Sequence, residues 1–151
     1  MHAFAIALAA LAAATAAAAQ DPNATPNYGT VRLHGVSDPH VVDLRSGGLV
    51  ETSRLGDGCA GYVSNAPDVR LTYQAGTLPL TVRAVSNADT MLLVNAPDGS
   101  WHCNDDAAAG TNNPAIRFAS PQSGRYEIWV GTRTGPQTHP ARLEISELEG
   151  H

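Results

Sequence analysis

The sequence predicts an all-β protein, an antiparallel β-sandwich of jelly-roll type with about ten short strands. Three observations support this prediction. Short, β-prone apolar runs alternate with turn-forming residues, and no long run has a helical period. Several runs alternate strictly between apolar and polar residues, as a strand with one buried face does. The 14 glycines and 10 prolines suit the many turns of such a fold.

The first nineteen residues are predicted to be a helical secretory signal peptide, outside the fold. They contain no Asp, Glu, Lys or Arg, and their apolar run passes into an alanine tract that ends at Ala17-Ala18-Ala19, a typical cleavage site. A membrane anchor is the alternative, although the segment is at the lower limit of the roughly 20 apolar residues that span a bilayer. Residues 20–27 are predicted to be a disordered lead-in, and residues 28–148 a single β-sandwich domain.

Ten segments that follow are predicted to be strands. Each is an apolar or alternating run bounded by Gly, Pro, Asn, Asp or Ser. They are residues 29–34, 40–44, 61–64, 69–73, 80–85, 90–95, 100–103, 115–118, 125–131 and 141–146.

The clearest local signal is a β-hairpin within residues 88–106. An apolar run at residues 90–95 is followed by Pro97-Asp98-Gly99, which supplies a fixed φ, a local side-chain acceptor and a glycine that tolerates positive φ. The strand after this turn carries Trp101 and Cys103 on one face.

The alternation also predicts which side chains face the core. The apolar sets on one side of their strands are Val69, Leu71 and Tyr73; Leu80, Val82 and Ala84; Tyr126, Ile128 and Val130; and Leu143 and Ile145. The polar sets on the opposite, water-facing side are Arg70 and Thr72; Thr81 and Arg83; Glu127; and Arg142 and Glu144. Trp129 is the exception, because it shares the polar side with Arg125 and Glu127.

The charge balance argues against nucleic acid and anionic membranes as partners. The chain has 9 basic and 14 acidic residues, which gives a formal net charge of −5 at pH 7. No cluster of basic residues offers a footprint for phosphates or a polybasic patch for lipid headgroups. We therefore expect no nucleic-acid partner, and no membrane span once the signal peptide has been removed.

Cys59 and Cys103 are the two cysteines of the chain. In an exported protein a disulfide between them is the expected state, and it would join the early part of the domain to the hairpin. A nucleophilic role for Cys59 is the alternative, but no base lies near it in the sequence.

Several motifs follow one another in a distinctive order. They are Asp68-Val69-Arg70-Leu71-Thr72-Tyr73, Leu80-Thr81-Val82, Ala88-Asp89-Thr90, Pro97-Asp98-Gly99, Asn104-Asp105-Asp106, Ser123-Gly124-Arg125-Tyr126 and Ala141-Arg142-Leu143. Over roughly the last eighty residues this order resembles the bacterial pre-peptidase C-terminal (PPC) domain. The resemblance implies an exported jelly-roll sandwich, usually appended to secreted peptidases, some members of which bind calcium or extracellular polymers. Residues 28–66 lie outside the family pattern and would supply additional strands.

Calcium is the one cofactor that the sequence suggests. Asp89, Asp105 and Asp106, together with Asn104, provide the oxygen ligands that this hard cation prefers, if the hairpin folds back on the preceding loop. The alternative is that these residues are turn formers and solvated loop carboxylates. No Asp-x-Asp-x-Asp-Gly loop fixes the ligand positions.

No catalytic residue is predicted. Gly56-Asp57-Gly58-Cys59 is superficially similar to a protease nucleophile loop, but no histidine motif accompanies it. A Gly-x-Ser-x-Gly elbow, a His-Glu-x-x-His motif and a phosphate loop are all absent from the sequence. The histidines show no spacing typical of a zinc site.

The two tryptophans have different predicted roles. Trp101 shares a face with Cys103, so we expect it to pack against the disulfide. Trp129 is either covered by the additional N-terminal strands or exposed, with Arg125 and Glu127, as a platform for a sugar or a peptide.

These observations predict a secreted or periplasmic, non-catalytic accessory module that binds a protein or polysaccharide partner in the envelope or outside the cell. One alternative is a purely structural, calcium-responsive envelope protein. Another is a cryptic hydrolase or a peptidase-associated activity, whose residues the sequence does not identify.

Overall fold

A computed structural model of the protein describes residues 19–34, 38–108 and 110–148. The predicted signal peptide, apart from Ala19, lies outside these residues, so neither it nor the anchor alternative is tested. Within the described residues, no helix combines the length and hydropathy that crossing a membrane would require.

The described residues form eleven strands and one short 3₁₀ turn at Ser53–Leu55. In chain order the strands are β1 (Thr30–Leu33), β2 (His40–Ser46), β3 (Val50–Glu51), β4 (Tyr62–Val63), β5 (Val69–Tyr73), β6 (Leu80–Val85), β7 (Thr90–Asn95), β8 (Trp101–Asn104), β9 (Ala115–Phe118), β10 (Gly124–Thr132) and β11 (His139–Ser146).

The strands form two sheets, which confirms the predicted β-sandwich. In the four-stranded sheet the order is β2-β11-β6-β9. In the seven-stranded sheet, β10 pairs with β7 along one edge and with β5 and then β4 along the other. One pair departs from the expected antiparallel arrangement, because β1 runs parallel to β5. A parallel pair needs a long connection, and here β2, β3 and β4 lie between the two strands in the sequence.

The main core lies between the two sheets and confirms the predicted inward faces. All eleven residues assigned to the core from the alternation are buried in one cluster, together with Leu44, Leu92, Val94, Ala96, Ile116 and Ala141. Four strands, β5, β6, β7 and β9, have the predicted bounds. The two-residue strand β3 was not predicted, because so short a strand shows no alternation.

The outer face of the seven-stranded sheet is also covered, which is one of the two alternatives expected for Trp129. A second hydrophobic cluster lies there, to which β3, β4, β7 and β10 contribute and against which Leu55 of the 3₁₀ turn packs. Its members are Val50, Val63, Met91, Leu93 and Trp129. Strands β7 and β10 are therefore buried on both sides. Such strands have continuous apolar runs, as residues 91–94 do.

A glycine permits this close layering. A Cβ atom built on Gly131 of β10 would lie 2.7 Å from the Sδ atom of Met91 and 2.7 Å from the carbonyl oxygen of Tyr62. Any larger residue would push β4 away from β10.

Candidate functional site

The three residues predicted to form a binding platform lie on the outer face of β10, where Trp129 and Glu127 are buried and Arg125 is exposed. Trp129 is fully buried, and its ring packs against that of Trp101 with a centroid distance of 5.5 Å. The structure therefore has the covered arrangement of Trp129 and not the exposed platform. The indole Nε1 has no hydrogen-bond partner, so the burial of Trp129 is driven by packing.

Glu127 is the main correction to the predicted water-facing residues. Its side chain is 1% exposed, and its Oε1 atom pairs with Arg70 at 2.6 Å and with Arg125 at 2.8 Å. Burial raises the pKa of Glu127 above its ordinary value, and the charges of Arg70 and Arg125 offset only part of this effect. Glu144, also assigned to a wet face, is buried between Arg83 and Arg142. Both carboxylates are buried because two guanidinium groups compensate each of them.

Residues 20–27, which we call the N-terminal strap, lie against this face. Arg70 donates through Nη2 to the carbonyl oxygens of Pro22 and Ala24, both at 3.0 Å, and Arg125 donates to the side chain of Asn23 at 2.9 Å. These contacts differ from the expected disordered lead-in. These contacts could not be predicted from the sequence, because two of the three acceptors are backbone carbonyls, which any residue supplies.

The Asp68 side chain links three segments, namely the strap, the residue that follows β4, and β10. Its Oδ2 atom accepts a hydrogen bond from the backbone N–H of Val130 at 2.8 Å. Val130 lies between the part of β10 that pairs with β5, which ends at Ile128, and the residue that pairs with β4, Thr132. The Oδ1 atom of Asp68 accepts from Asn27 at 3.2 Å and from Ser64 at 3.4 Å. Asp68 is 1% exposed, and desolvation raises its pKa to about 6 despite these hydrogen bonds.

The predicted disulfide between Cys59 and Cys103 is present. It links the loop after the 3₁₀ turn to β8, and Trp101 and Cys103 both pack against the outer cluster. Trp101 thus lies on the same side of β8 as Cys103, and its packing against the bridge itself stays a prediction.

The aspartates considered for calcium do not form a shared site. Asp105 pairs with Arg133 at 2.5 Å, while Asp89 contributes its backbone carbonyl to the N–H of Arg133 at 3.1 Å. Asp106 is exposed. In the part of the chain that is described, no group of three or more His, Cys, Asp or Glu residues is arranged to hold a metal ion. Calcium binding stays a prediction. A calcium ion bound by Asp105 would have to displace Arg133 from that carboxylate.

The structure brings together one serine and one histidine that the sequence analysis did not pair. Ser100 Oγ lies 2.9 Å from His102 Nε2 and donates its proton to Asp98 Oδ1 at 2.5 Å. The imidazole must then supply the proton for its own contact, so it does not act as a base toward Ser100. The hydrogen bonds from Ser100 hold the pKa of Asp98 below its usual value. The i, i+2 spacing on a strand was the signal for this contact.

A groove opens where β1, β5 and β11 end. It has a volume of about 440 Å³ and is lined by residues 74–78, His34 and Glu147. We call it the loop-end groove. Tyr73 donates its hydroxyl to the Glu147 carboxylate, and His34 Nδ1 lies 2.8 Å from Gln74 Oε1. Burial, and then Glu147, raise the pKa of Tyr73 well above its ordinary value, so its hydroxyl remains a donor.

The walls of the loop-end groove are fixed by hydrogen bonds. The N–H of Ala75 donates to Ser123 Oγ at 2.9 Å, and the N–H groups of Glu147 and Leu148 donate to Asp38 Oδ2 at 3.1 and 2.8 Å. Leu78 is 43% exposed and Leu148 is 50% exposed at this end. The groove thus combines apolar side chains with the carboxylate of Glu147, and no basic residue other than His34 lines it.

Comparisons with known proteins give a structural likeness and no family. No protein-family model matches the sequence, and no match was found among curated proteins. Among solved structures, the chain is similar to PliG of Aeromonas hydrophila, a periplasmic lysozyme inhibitor of g-type lysozyme. The sequence identity is 18% and the TM-score is 0.39, over 78% of this chain and 94% of that chain. A likeness of this degree carries no conclusion about the function of the present chain, and the PPC resemblance stays a prediction.

Proposed function

We propose that this protein is an exported, non-catalytic β-sandwich that binds a protein partner through the loop-end groove. The observation that carries the proposal is the groove itself, a concave surface between loops on a rigid sandwich. Its volume of about 440 Å³ falls in the range of ligand pockets. Loops held by a rigid scaffold are where sandwich domains most often bind their partners.

The chemistry of the groove indicates what kind of segment it accepts. Leu78 offers apolar surface, and Glu147 offers a carboxylate with one oxygen already held by Tyr73. With no arginine or lysine among the lining residues, the groove favours a cationic group over an anionic one. A partner segment with an aliphatic or aromatic side chain next to a lysine or arginine satisfies both features.

The disulfide supports an extracytoplasmic location. Bridges such as Cys59–Cys103 persist in oxidising compartments and are rare in the reducing cytosol. The A-x-A sequence at residues 17–19 is the expected cleavage site of the export signal.

Binding, and not catalysis, is proposed because the reactive groups are engaged in structural contacts. The proton of Ser100 is donated to Asp98, so His102 does not activate this hydroxyl. The cysteines are joined, and Glu127 and Asp105 pair with arginines. These contacts stabilise the sandwich and leave the loop surfaces for recognition.

A paired-variant capture experiment tests the proposal. Immobilised wild type, Leu78→Asp and Leu49→Asp are exposed to an envelope extract of the source cells. Leu49 is the matched control, since it is 85% exposed in the β2–β3 turn at the opposite end of the sandwich. We expect one protein to be retained by wild type and Leu49→Asp and lost from Leu78→Asp. Its retention by Glu147→Gln should weaken.

Three results would contradict the proposal. Equal retention of the partner by all the variants would show that the groove is not the binding site. If wild type retains no protein from the extract, the protein does not have the proposed binding function. Retention of a protease-resistant glycan would assign the surface to a polysaccharide and not to a protein.

A further inference from the structure

The first residue of the N-terminal strap has an unusual environment. Gln20 is 9% exposed, and its Oε1 atom accepts a hydrogen bond from Arg54 Nη2 at 2.9 Å. Its Nε2 atom is buried and has no hydrogen-bond partner. A buried amide nitrogen without an acceptor costs free energy, because it has lost water and gained nothing in exchange.

We infer that Gln20 is a modification site, where the amino terminus closes to pyroglutamate once the signal peptide is cleaved after Ala19. This inference rests on the export part of the proposed function and not on the loop-end groove. In the closure, the α-amine nitrogen of Gln20 attacks its own Cδ atom. A bond between that nitrogen and Cδ forms, and the Cδ–Nε2 bond breaks. The leaving nitrogen takes a proton from the attacking amine and departs as ammonia, while Oε1 stays as the ring carbonyl oxygen. No oxidant or co-reactant is needed.

Arg54 favours the attack on the side-chain carbonyl. Negative charge develops on Oε1 as the α-amine adds to Cδ, and a guanidinium group that already donates to Oε1 stabilises this charge. The departing Nε2 atom has no hydrogen bond to break.

The product suits the buried position better than the open glutamine does. Cleavage after Ala19 would leave a positive charge on Gln20, a residue that is buried in the intact chain, and burial penalises a charge. Closure removes both the charge and the unpartnered amide nitrogen. The strap holds the new terminus in place, since the N–H of Asp21 donates to the carbonyl oxygen of Asn65 at 2.9 Å.

The amino terminus of the exported protein tests the inference directly. The full chain is produced with its own leader in an exporting bacterial host, and the N-terminal peptide of the purified protein is measured by mass spectrometry. We expect a peptide that begins at residue 20 and is lighter than the glutamine form by one ammonia. An open Gln20 terminus, a terminus at another residue or an uncleaved precursor would each overturn the inference.

The role of Arg54 is tested by measuring the rate at which Gln20 closes to pyroglutamate. A chain that begins at Gln20 is released from a fusion protein by a site-specific protease, and the loss of ammonia is followed over time. We expect Arg54→Ala to slow closure roughly tenfold, whereas Arg54→Lys, which keeps a cationic donor, slows it less. Arg142→Ala, in the other sheet, is the control and should match wild type. Equal rates in wild type and Arg54→Ala would show that the fold does not promote closure, and would overturn that part of the inference.

Discussion

Asp68 gives the protein a pH dependence of stability that can be calculated from the structure. The carboxyl group has a pKa of about 6 in the folded state, against an ordinary value of 3.8. Between these two values the folded state keeps a proton that the unfolded chain has lost. The free energy of unfolding contributed by Asp68 therefore falls as the pH rises through this window, and it stays constant below and above it.

The magnitude follows from the difference between the two pKa values. One pKa unit corresponds to about 1.4 kcal/mol, so the full effect of Asp68 is about 3 kcal/mol, most of which falls between about pH 4 and about pH 7. Asp68→Asn has nearly the same shape and does not titrate. Relative to this variant, wild type should lose about 3 kcal/mol, or roughly 10 °C in melting temperature, across that window.

The assay is a pair of denaturation series on the two proteins, one near pH 4 and one near pH 7. Glu127 also has a raised pKa, but it is present in both proteins and cancels in the difference. Asp68→Asn will have its own cost, because an amide group cannot accept all the hydrogen bonds from Val130, Asn27 and Ser64. That cost does not change with pH. A stability difference that is the same at both pH values would contradict the raised pKa of Asp68 in the folded state.

Four further predictions follow from the outer layer and the acidic loops. Replacing both Cys59 and Cys103 with alanine should lower the free energy of unfolding by about 4 kcal/mol, because the bridge spans a sequence separation of 44; an unchanged urea midpoint would argue against it. In a Trp101→Phe background, Trp129 should resist iodide quenching, and strong quenching would mean that its cover opens. Glu127→Ala should lower the free energy of unfolding, measured by chemical denaturation, by about 3–5 kcal/mol, because it leaves the partly buried Arg70 without its carboxylate partner. Arg125→Ala, at the exposed side, should lower it by about 1 kcal/mol, and equal losses in the two variants would contradict this ranking. A calcium site at Asp89, Asp105 and Asp106 requires the melting temperature to rise with added Ca²⁺ and fall with chelator, and no response to either would exclude it.

The inner layer of the fold was predictable from the sequence because its signals are local. Alternation with period two assigns side chains to faces without knowledge of the partner strand, and β5 and β6 show it clearly. The hairpin between β7 and β8 was predictable for a similar reason, because three consecutive turn-forming residues, Pro97-Asp98-Gly99, connect the two strands. The disulfide was inferred from the presence of two cysteines in an exported chain.

The site residues were harder to assign, because their roles depend on what covers them. Glu127 was expected to face water because it lies opposite the core side of β10, and Trp129, on the same side, could be either covered or exposed. The segments that bury them are the strap and the two-residue strands β3 and β4, which show no periodicity. The loop-end groove likewise joins residues from three separate parts of the chain, namely His34, residues 74–78 and Glu147.

The all-β class, most strands, the inward faces and the disulfide pair can be read from the amino acids alone, because each depends on residue type and short-range spacing. The parallel pairing of β1 with β5, the second hydrophobic layer and the burial of Asp68 and Glu127 are visible only in the folded chain. Those features depend on contacts between distant segments, such as Asp68 with Val130 and Arg70 with the strap. A buried charge is stable only where its partners converge in space, and no local pattern of residues records that convergence.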